Sequence, residues 1–319
     1  MSALLQFKER YDTTKTLSWK ISQDCCSWDG IECDENTGHV IVLDLGSSSL
    51  GGSIDNNSTL FQLTHLEKLD LSDNHFYSQI PSRVGDLSRL THLDLSFSIY
   101  SGQVPTEIFK LTRLVYLNLC DNYFLYDPYH PISTHPLEMK ALGLRSLAQN
   151  MTSLEELCLG SVKISSQVPN TLANLSSLRR LDMSRCDLHG VFPSTIFHLP
   201  KLRYLDVGGN EALTGRLSDF NSSSPLEELG LPATSFSGEL PSSIGILPSL
   251  SNLDVSNCEF LGSIPASLAN LSNLKYLDVS GNHSLPSPFP LFLGWQPIKR
   301  CYPISAHEPH SANYFEPQK

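Results

Sequence analysis

The strongest constraint on this chain is a beat of 24 residues. The segment Leu66–Arg89 reads LEKLDLSDNHFYSQIPSRVGDLSR, and equivalent segments start at Leu90, Leu114, Leu154, Leu178, Leu202, Leu226, Leu250 and Leu274. Only the step from Leu114 to Leu154 departs from the beat, at 40 residues. A weaker copy starts at Val40 and reads VIVLDL. Composition alone sets no register, so ten copies in one phase specify an array and not a pair of globular domains.

In each copy the apolar positions alternate with polar ones as in a short strand. Leu69 and Leu71 point inward, while Lys68, Asp70 and Ser72 point outward. One copy cannot bury its apolar side alone, so the copies must stack, with parallel strands about 4.8 Å apart and a sheet about 50 Å long. The ninth position turns inward at the strand's end. It is Asn74, Asn122, Asn210 or Asn282 in four copies, and Ser48, Ser98, Val162, Cys186, Thr234 or Cys258 in the others. An amide there can bond the backbone groups that the turn leaves unpaired; Ser, Thr and Cys do so more weakly. Val162 cannot, so its turn is expected to be looser or to hold water.

This spacing is that of a leucine-rich repeat. The second half of each copy narrows the class. Gly102-Gln103-Val104-Pro105, Gly190-Val191-Phe192-Pro193, Gly238-Glu239-Leu240-Pro241 and Gly262-Ser263-Ile264-Pro265 place a glycine for a positive-φ turn and a proline that ends pairing. Ser78…Pro81 and Ser166…Pro169 are variants, and a helical or 3₁₀ segment such as Ala266–Leu271 follows. The 24-residue form resembles the plant-specific leucine-rich repeats of receptor-like kinases, receptor-like proteins and polygalacturonase-inhibiting proteins, from about Ser2 to Leu285. That implies an α/β repeat: a curved leucine-rich-repeat solenoid of about ten repeats, with a concave parallel β-sheet and 3₁₀ or short helices on the convex face.

The expected organisation is an N-terminal cap over 1–38, a solenoid over 39–285 with an insertion at about 126–149, and a Pro-rich, mostly disordered tail over 286–319. Ser2–Tyr11 reads as a short amphipathic helix with Leu4, Leu5 and Phe7 as its apolar residues. Cys25-Cys26-Ser27-Trp28-Asp29-Gly30-Ile31-Glu32-Cys33 resembles the plant cap motif CxWxG[IV]xC. The resemblance implies a Cys26–Cys33 disulfide, with Cys25–Cys33 as the alternative. Such caps carry another cysteine upstream, which this chain lacks together with a secretory signal, so a chain truncated at both ends is expected. Three cysteines without a nearby second pair do not suggest zinc. Cys186 and Cys258 are expected to be buried and unpaired. Cys120 and Cys158 lie on adjacent copies but offset by two residues, about 8 Å on the diagonal. A bridge needs less than about 7 Å, so both are expected to be free thiols. Cys301 has no partner near it in sequence.

The formal net charge of −11 argues against nucleic acid and against anionic membrane surfaces, and no apolar run is long enough to span a bilayer. Glycosylation sequons fall at Asn56, Asn57, Asn150, Asn174, Asn221, Asn270 and Asn282; Asn174 and Asn270 share a phase on the outer side. The insertion begins as a proline-rich loop (127–136) and continues as a helical pattern over Met139–Gln149, with Leu142, Leu144, Leu147 and Ala148 near one face. Similar insertions occur in plant receptor-like proteins. His130 and His135 lack further metal ligands nearby, and no metal or cofactor is expected. The aspartates Asp44, Asp70, Asp94, Asp182, Asp206, Asp254 and Asp278 read as a solvated row on an open face, without a cleft for acid–base work. No nucleophile, phosphate or dinucleotide motif appears, so no enzyme is expected.

Recognition therefore falls to the concave face. Arg179, Arg180, Arg185 and Arg203 cluster over two adjacent copies, with Glu155 and Glu156 one copy before and Glu227 and Glu228 one copy after. Tyr116, Tyr204 and Tyr276 share one phase, which His92 occupies earlier. Arg and Tyr are frequent binding hot spots, so an acidic or carboxylate-bearing ligand is expected at Arg180, Arg203 and Tyr204. The competing reading pairs Glu155 and Glu156 with Arg179 and Arg180 as surface ion pairs of little worth. Past Leu285 the beat stops, and Phe289, Leu291, Phe292, Leu293 and Trp295 could cover the open end. The resemblance implies the ligand-recognition ectodomain of a plant receptor-like protein. It would bind an extracellular peptide, glycan or protein and signal through a co-receptor kinase in defence or development. The alternatives are a secreted polygalacturonase-inhibiting protein and a truncated gene product without its own activity.

Overall fold

The computed structural model describes residues 2–10, 15–122 and 136–282. Its centre is an 11-stranded sheet. Ile31–Cys33 pairs antiparallel with Val40–Asp44, and every later strand is added in parallel, one per copy, out to Tyr276–Asp278. The register is strict. Leu43, Leu69, Leu93, Leu117, Leu157, Leu181, Leu205, Leu229, Leu253 and Leu277 pair in succession as one interior column. All but Leu277, at the last described copy, are buried. Each fully buried leucine contributes about 1.5–3 kcal/mol, and no copy gains this without its neighbour. The result is the curved solenoid that the resemblance implied.

The ninth position works as a backbone clamp. Asn122 donates Nδ2–H to the carbonyls of Leu95 (2.8 Å) and Leu119 (3.0 Å), and its Oδ1 accepts from the amides of Ser98 (3.0 Å) and Tyr100 (3.1 Å). Cys186 and Cys258 are buried free thiols whose Sγ reach the carbonyls of Leu159 and Leu231 at 3.0 Å. Burial first, then the Asp182 charge, pushes the Cys186 thiol far above its ordinary value. At Val162 the backbone replaces the missing amide, since Val162 N–H donates to Leu159 O at 2.9 Å. That turn is thus bonded within its own backbone.

Gly102, Gly190, Gly238 and Gly262 all have positive φ. After Pro81, Pro105, Pro169, Pro193, Pro241 and Pro265 the chain forms a 3₁₀ turn, as in Ala266–Asn270. A second parallel sheet of four short strands, Gly190–Val191, Leu213–Gly215, Ser235–Glu239 and Glu259–Leu261, runs along the flank.

At the N-terminus, helix α1 (Ser2–Arg10) buries Leu4 and Phe7 over the first copy. Trp19 stacks on Trp28 with ring centres 5.4 Å apart, and its indole N–H donates to Asp29 O. Gly30 has φ 78°, and a Cβ there would sit 2.1 Å from Asp44 O, so only glycine fits. Cys26 and Cys33 form a disulfide, leaving Cys25 free and buried.

Helix α2 (Ala141–Asn150) caps the flank at the insertion, burying Leu144, Leu147 and Ala148. Leu142 instead points outward, 73% exposed. It stands two residues from Leu144, on the opposite side of a 3.6-residue turn. The expectations for the proline-rich loop, for His130 and His135, and for the tail with Cys301 and the aromatic cluster after Leu285 lie outside the described residues, apart from Pro136. No helix among the described residues is long and apolar enough to cross a membrane.

One expectation is overturned by the structure. Cys120 and Cys158 are not free thiols; they form a disulfide with Cα atoms 5.6 Å apart. The 8 Å estimate extends both strands flat past their ends. Here the strand ends at Asn118, and Leu119 N–H to Cys158 O (2.9 Å) draws the following turn against its neighbour. Gly160 leaves room, since a Cβ there would lie 3.1 Å from Cys120 Sγ.

Candidate ligand-binding face

The third position of each copy, the first residue of its strand, presents its side chain on the concave face. The pairings place Tyr116, Glu156, Arg180, Tyr204, Glu228, Asn252 and Tyr276 in one row. The structure brings Arg180 and Tyr204 together: the guanidinium carbon lies 3.6 Å from the ring centre. A cation over a tyrosine face is worth about 0.5–2 kcal/mol, and it holds both side chains upright. Arg180 also approaches Asp182 at 3.8 Å, a loose contact.

The other candidates are dispersed. Arg179 pairs with Glu155 and Arg203 with Glu227, each at 3.0 Å and each largely exposed. Arg179–Glu155 is a cross-strand pair of the competing reading and Arg203–Glu227 is a further pair of the same kind; such pairs contribute about 1 kcal/mol at most. Arg185 lies at the eighth position, in a left-handed conformation with φ 54°. That position has positive φ in every copy described, from Ser47 to Gly281, and Phe97 occupies it with 40% exposure. Tyr116 and Tyr276 stand away from the Arg180 pair along the row. Each hydroxyl donates to the aspartate of the preceding copy, Asp94 at 2.8 Å and Asp254 at 3.4 Å. Burial, then the neighbouring aspartate, raises both phenols, Tyr276 to about 12.

The aspartate row is not uniformly solvated, contrary to expectation. Asp182 is buried at 9% exposure. Asp206 is pushed up to about 6, by burial first and by Asp182 second, against the Gly208 N–H that donates to its Oδ1 at 2.7 Å. The next copy packs against it at Gly230, where a Cβ would lie 3.1 Å from the carboxylate carbon, and the Tyr204 hydroxyl of its own copy lies 3.5 Å from Oδ2. Because the folded-state value is raised, the stability Asp206 provides is complete below about pH 4 and is lost as pH rises through about 6. Asp206→Asn keeps the acceptor for Gly208. It is expected to stabilise the protein by about 1–3 kcal/mol at pH 7.5 and by nothing at pH 4; urea titrations at the two pH values check this.

The sequons divide. Asn56, Asn57, Asn150, Asn174, Asn221 and Asn270 are exposed. Asn282 is not available, because it is a buried ninth-position clamp whose Nδ2 donates to Val255 O (2.7 Å) and Val279 O (2.9 Å). Asn174 lines a groove between α2 and the 3₁₀ turn Ser194–His198, on the flank away from the concave row.

A stacked array with a continuous parallel inner sheet defines a repeat solenoid. Residues 1–34 match the leucine-rich repeat N-terminal domain, residues 35–189 the leucine-rich repeat region and residues 249–271 a single leucine-rich repeat. The chain is a leucine-rich-repeat domain with an N-terminal cap, and it resembles those of plant receptor-like proteins. Over 251 residues it is 46% identical to receptor-like protein 7 of Arabidopsis thaliana, an alignment covering 78% of this chain and 25% of that protein. The chain thus spans about a quarter of that relative's length. Among solved structures it superposes on a plant ice-binding protein with a TM-score of 0.72 and 26% identity, covering 89% of this chain and 86% of that one. It also superposes on the ectodomain of the Arabidopsis receptor kinase HAESA, in complex with an N-terminally extended IDA peptide hormone ligand. That match has a TM-score of 0.67 and 30% identity, over 88% of this chain and 49% of that one.

Proposed function

We propose that this chain is ligand-recognition surface from the extracellular part of a plant receptor-like protein. It carries no catalysis of its own and binds a peptide, protein or glycan along its concave face. Signalling, in defence or development, then passes through a co-receptor kinase. The likeness to receptor-like protein 7 and to a peptide-bound receptor ectodomain supports this reading. The observation that carries it is the Arg180–Tyr204 pair, an upright cation and aromatic at the centre of a long half-buried row on the concave face.

The pairings rank the arginines. A ligand carboxylate that meets Arg180 replaces a contact of 3.8 Å, whereas one that meets Arg203 must break a pair at 3.0 Å. Peptides with free C-terminal carboxylates, selected from a random library on the wild-type chain, supply the probe. Arg180→Ala is expected to weaken their binding about tenfold or more, and Arg203→Ala less than threefold. Equal affinity for wild type and Arg180→Ala would remove the pair from the site.

A further inference from the structure

We infer that the groove on the solenoid's flank holds the chain's own N-linked glycan at Asn174, whose core N-acetylglucosamine units lie along it and cover Leu142 and Val191. The inference rests on the extracellular reading above, since the glycan is added on the secretory route. Asn174-Leu175-Ser176 is a sequon at the end of the 3₁₀ turn Asn170–Asn174, and Asn174 is exposed on the groove's wall. Among the described residues its side-chain amide has no hydrogen-bond partner. Asn150, in the same phase one copy earlier, instead donates Nδ2–H to Phe109 O at 3.4 Å.

The groove's chemistry suits this occupant. Its volume is about 1240 Å³, above the range of about 300–1,000 Å³ for most small-molecule sites, so it has room for an oligosaccharide. Helix α2 contributes Leu142 to one side, and the following copy contributes Val191 to the other. Leu142 is 73% exposed and Val191 72%; apart from Ile21 they are the most exposed large apolar side chains among the described residues. Among the lining side chains only Arg145 and His198 are titratable, and His198 shares a hydrogen bond with Ser218 Oγ at 3.0 Å. Gln167, Asn170, Ser194 and Thr195 line the rest with neutral polar groups. An uncharged ring with apolar C–H faces, an acetamide methyl and hydroxyls matches these walls. Attachment at Asn174 also sets the sugar's effective concentration on the order of mM, so contacts too weak to capture a free sugar suffice.

The repeat supplies its own control at Asn270. Asn270-Leu271-Ser272 is the same sequon in the same phase, it ends the 3₁₀ turn Ala266–Asn270, and Asn270 is also exposed. The backbone after each is alike: Ser176 N–H donates to Asn174 O at 2.9 Å and Ser272 N–H to Asn270 O at 3.0 Å. The surroundings differ. Among the described residues no α-helix stands beside Asn270, and the phase-matched residue one copy earlier is the half-exposed Ile246. A glycan at Asn270 therefore has one apolar neighbour, whereas one at Asn174 enters a groove with an apolar residue on each side.

The test uses the whole chain secreted from human cells, digested in its folded state with a peptide N-glycosidase and followed site by site by mass spectrometry. Both sequons are expected to carry glycan, with Asn174 released about tenfold more slowly than Asn270. After denaturation the two rates are expected to be equal. Leu142→Ser with Val191→Ser, both exposed and away from the core, is expected to bring the folded-state rate at Asn174 to within about threefold of that at Asn270, with an unchanged circular dichroism spectrum. Equal folded-state rates in wild type, or an Asn174 without glycan beside a glycosylated Asn270, overturn the inference. So does slow release that persists in the double serine variant, which would assign the shelter to the bulk of α2 alone. A secreted chain without glycan at any sequon overturns it as well. Failure of the chain to be secreted behind a leader counts instead against the extracellular reading and, through it, against the inference.

Discussion

Asn210→Ala is expected to destabilise the solenoid by about 3–5 kcal/mol. The side chain is 1% exposed and makes contacts in three directions. Its Nδ2 donates to Met183 O at 2.9 Å and to Val207 O at 2.7 Å, and its Oδ1 accepts from the amides of Cys186 at 3.0 Å and Leu188 at 2.9 Å. Truncation orphans two buried amides and weakens two buried carbonyls. Each buried group left without a partner costs about 1–3 kcal/mol. Asn210→Ser should lose about half as much, because a hydroxyl here still reaches the turn, as Ser98 Oγ reaches Leu71 O at 2.6 Å. Urea midpoints give the total. Hydrogen exchange at the Cys186 and Leu188 amides gives the location, since these two N–H groups should lose protection first. A loss under about 1 kcal/mol for the alanine variant would mean that the ninth position is tolerated and not required.

The clamp was legible in the sequence because it repeats in phase with the leucines, and the interior column was legible for the same reason. What escaped depends on contacts between copies that no single copy encodes. Asp206 looks like the other aspartates of its row, but the next copy packs Gly230 against its carboxylate, and neither residue announces this from its own position. The left-handed eighth position is Gly only at Gly209 and Gly281; elsewhere it is Ser47, Asp73, Phe97, Asp121, Ser161, Arg185, Ala233 or Asn257, so composition gives no turn signal there. Asn282 fits two patterns at once, a sequon and a clamp, and only its burial chooses between them. Arg180 and Tyr204 were both candidates. Their contact follows from the register, which pairs them directly across adjacent strands.

The Cys120–Cys158 bridge is expected to have the other large effect, because of the length of chain it closes. The two cysteines are 38 residues apart, against 7 for Cys26–Cys33. Restricting the unfolded chain over that separation is worth about 4 kcal/mol, and about 2.4 kcal/mol over the shorter one. The longer loop contains the insertion, where the beat stretches to 40 residues. The bridge joins copies on either side of it, at the point where the strands Tyr116–Asn118 and Glu156–Cys158 end. Replacing both cysteines by serine should therefore cost about 3–4 kcal/mol. The same change at Cys26 and Cys33 should cost less and act mainly on the cap. Reduction of wild type should reproduce the sum of the two, and reduction of the Cys120→Ser, Cys158→Ser protein only the smaller part. If the two double variants were equally destabilised, loop closure would not be what this bridge contributes, and its value would lie in local packing beside Gly160 and Asp182 instead.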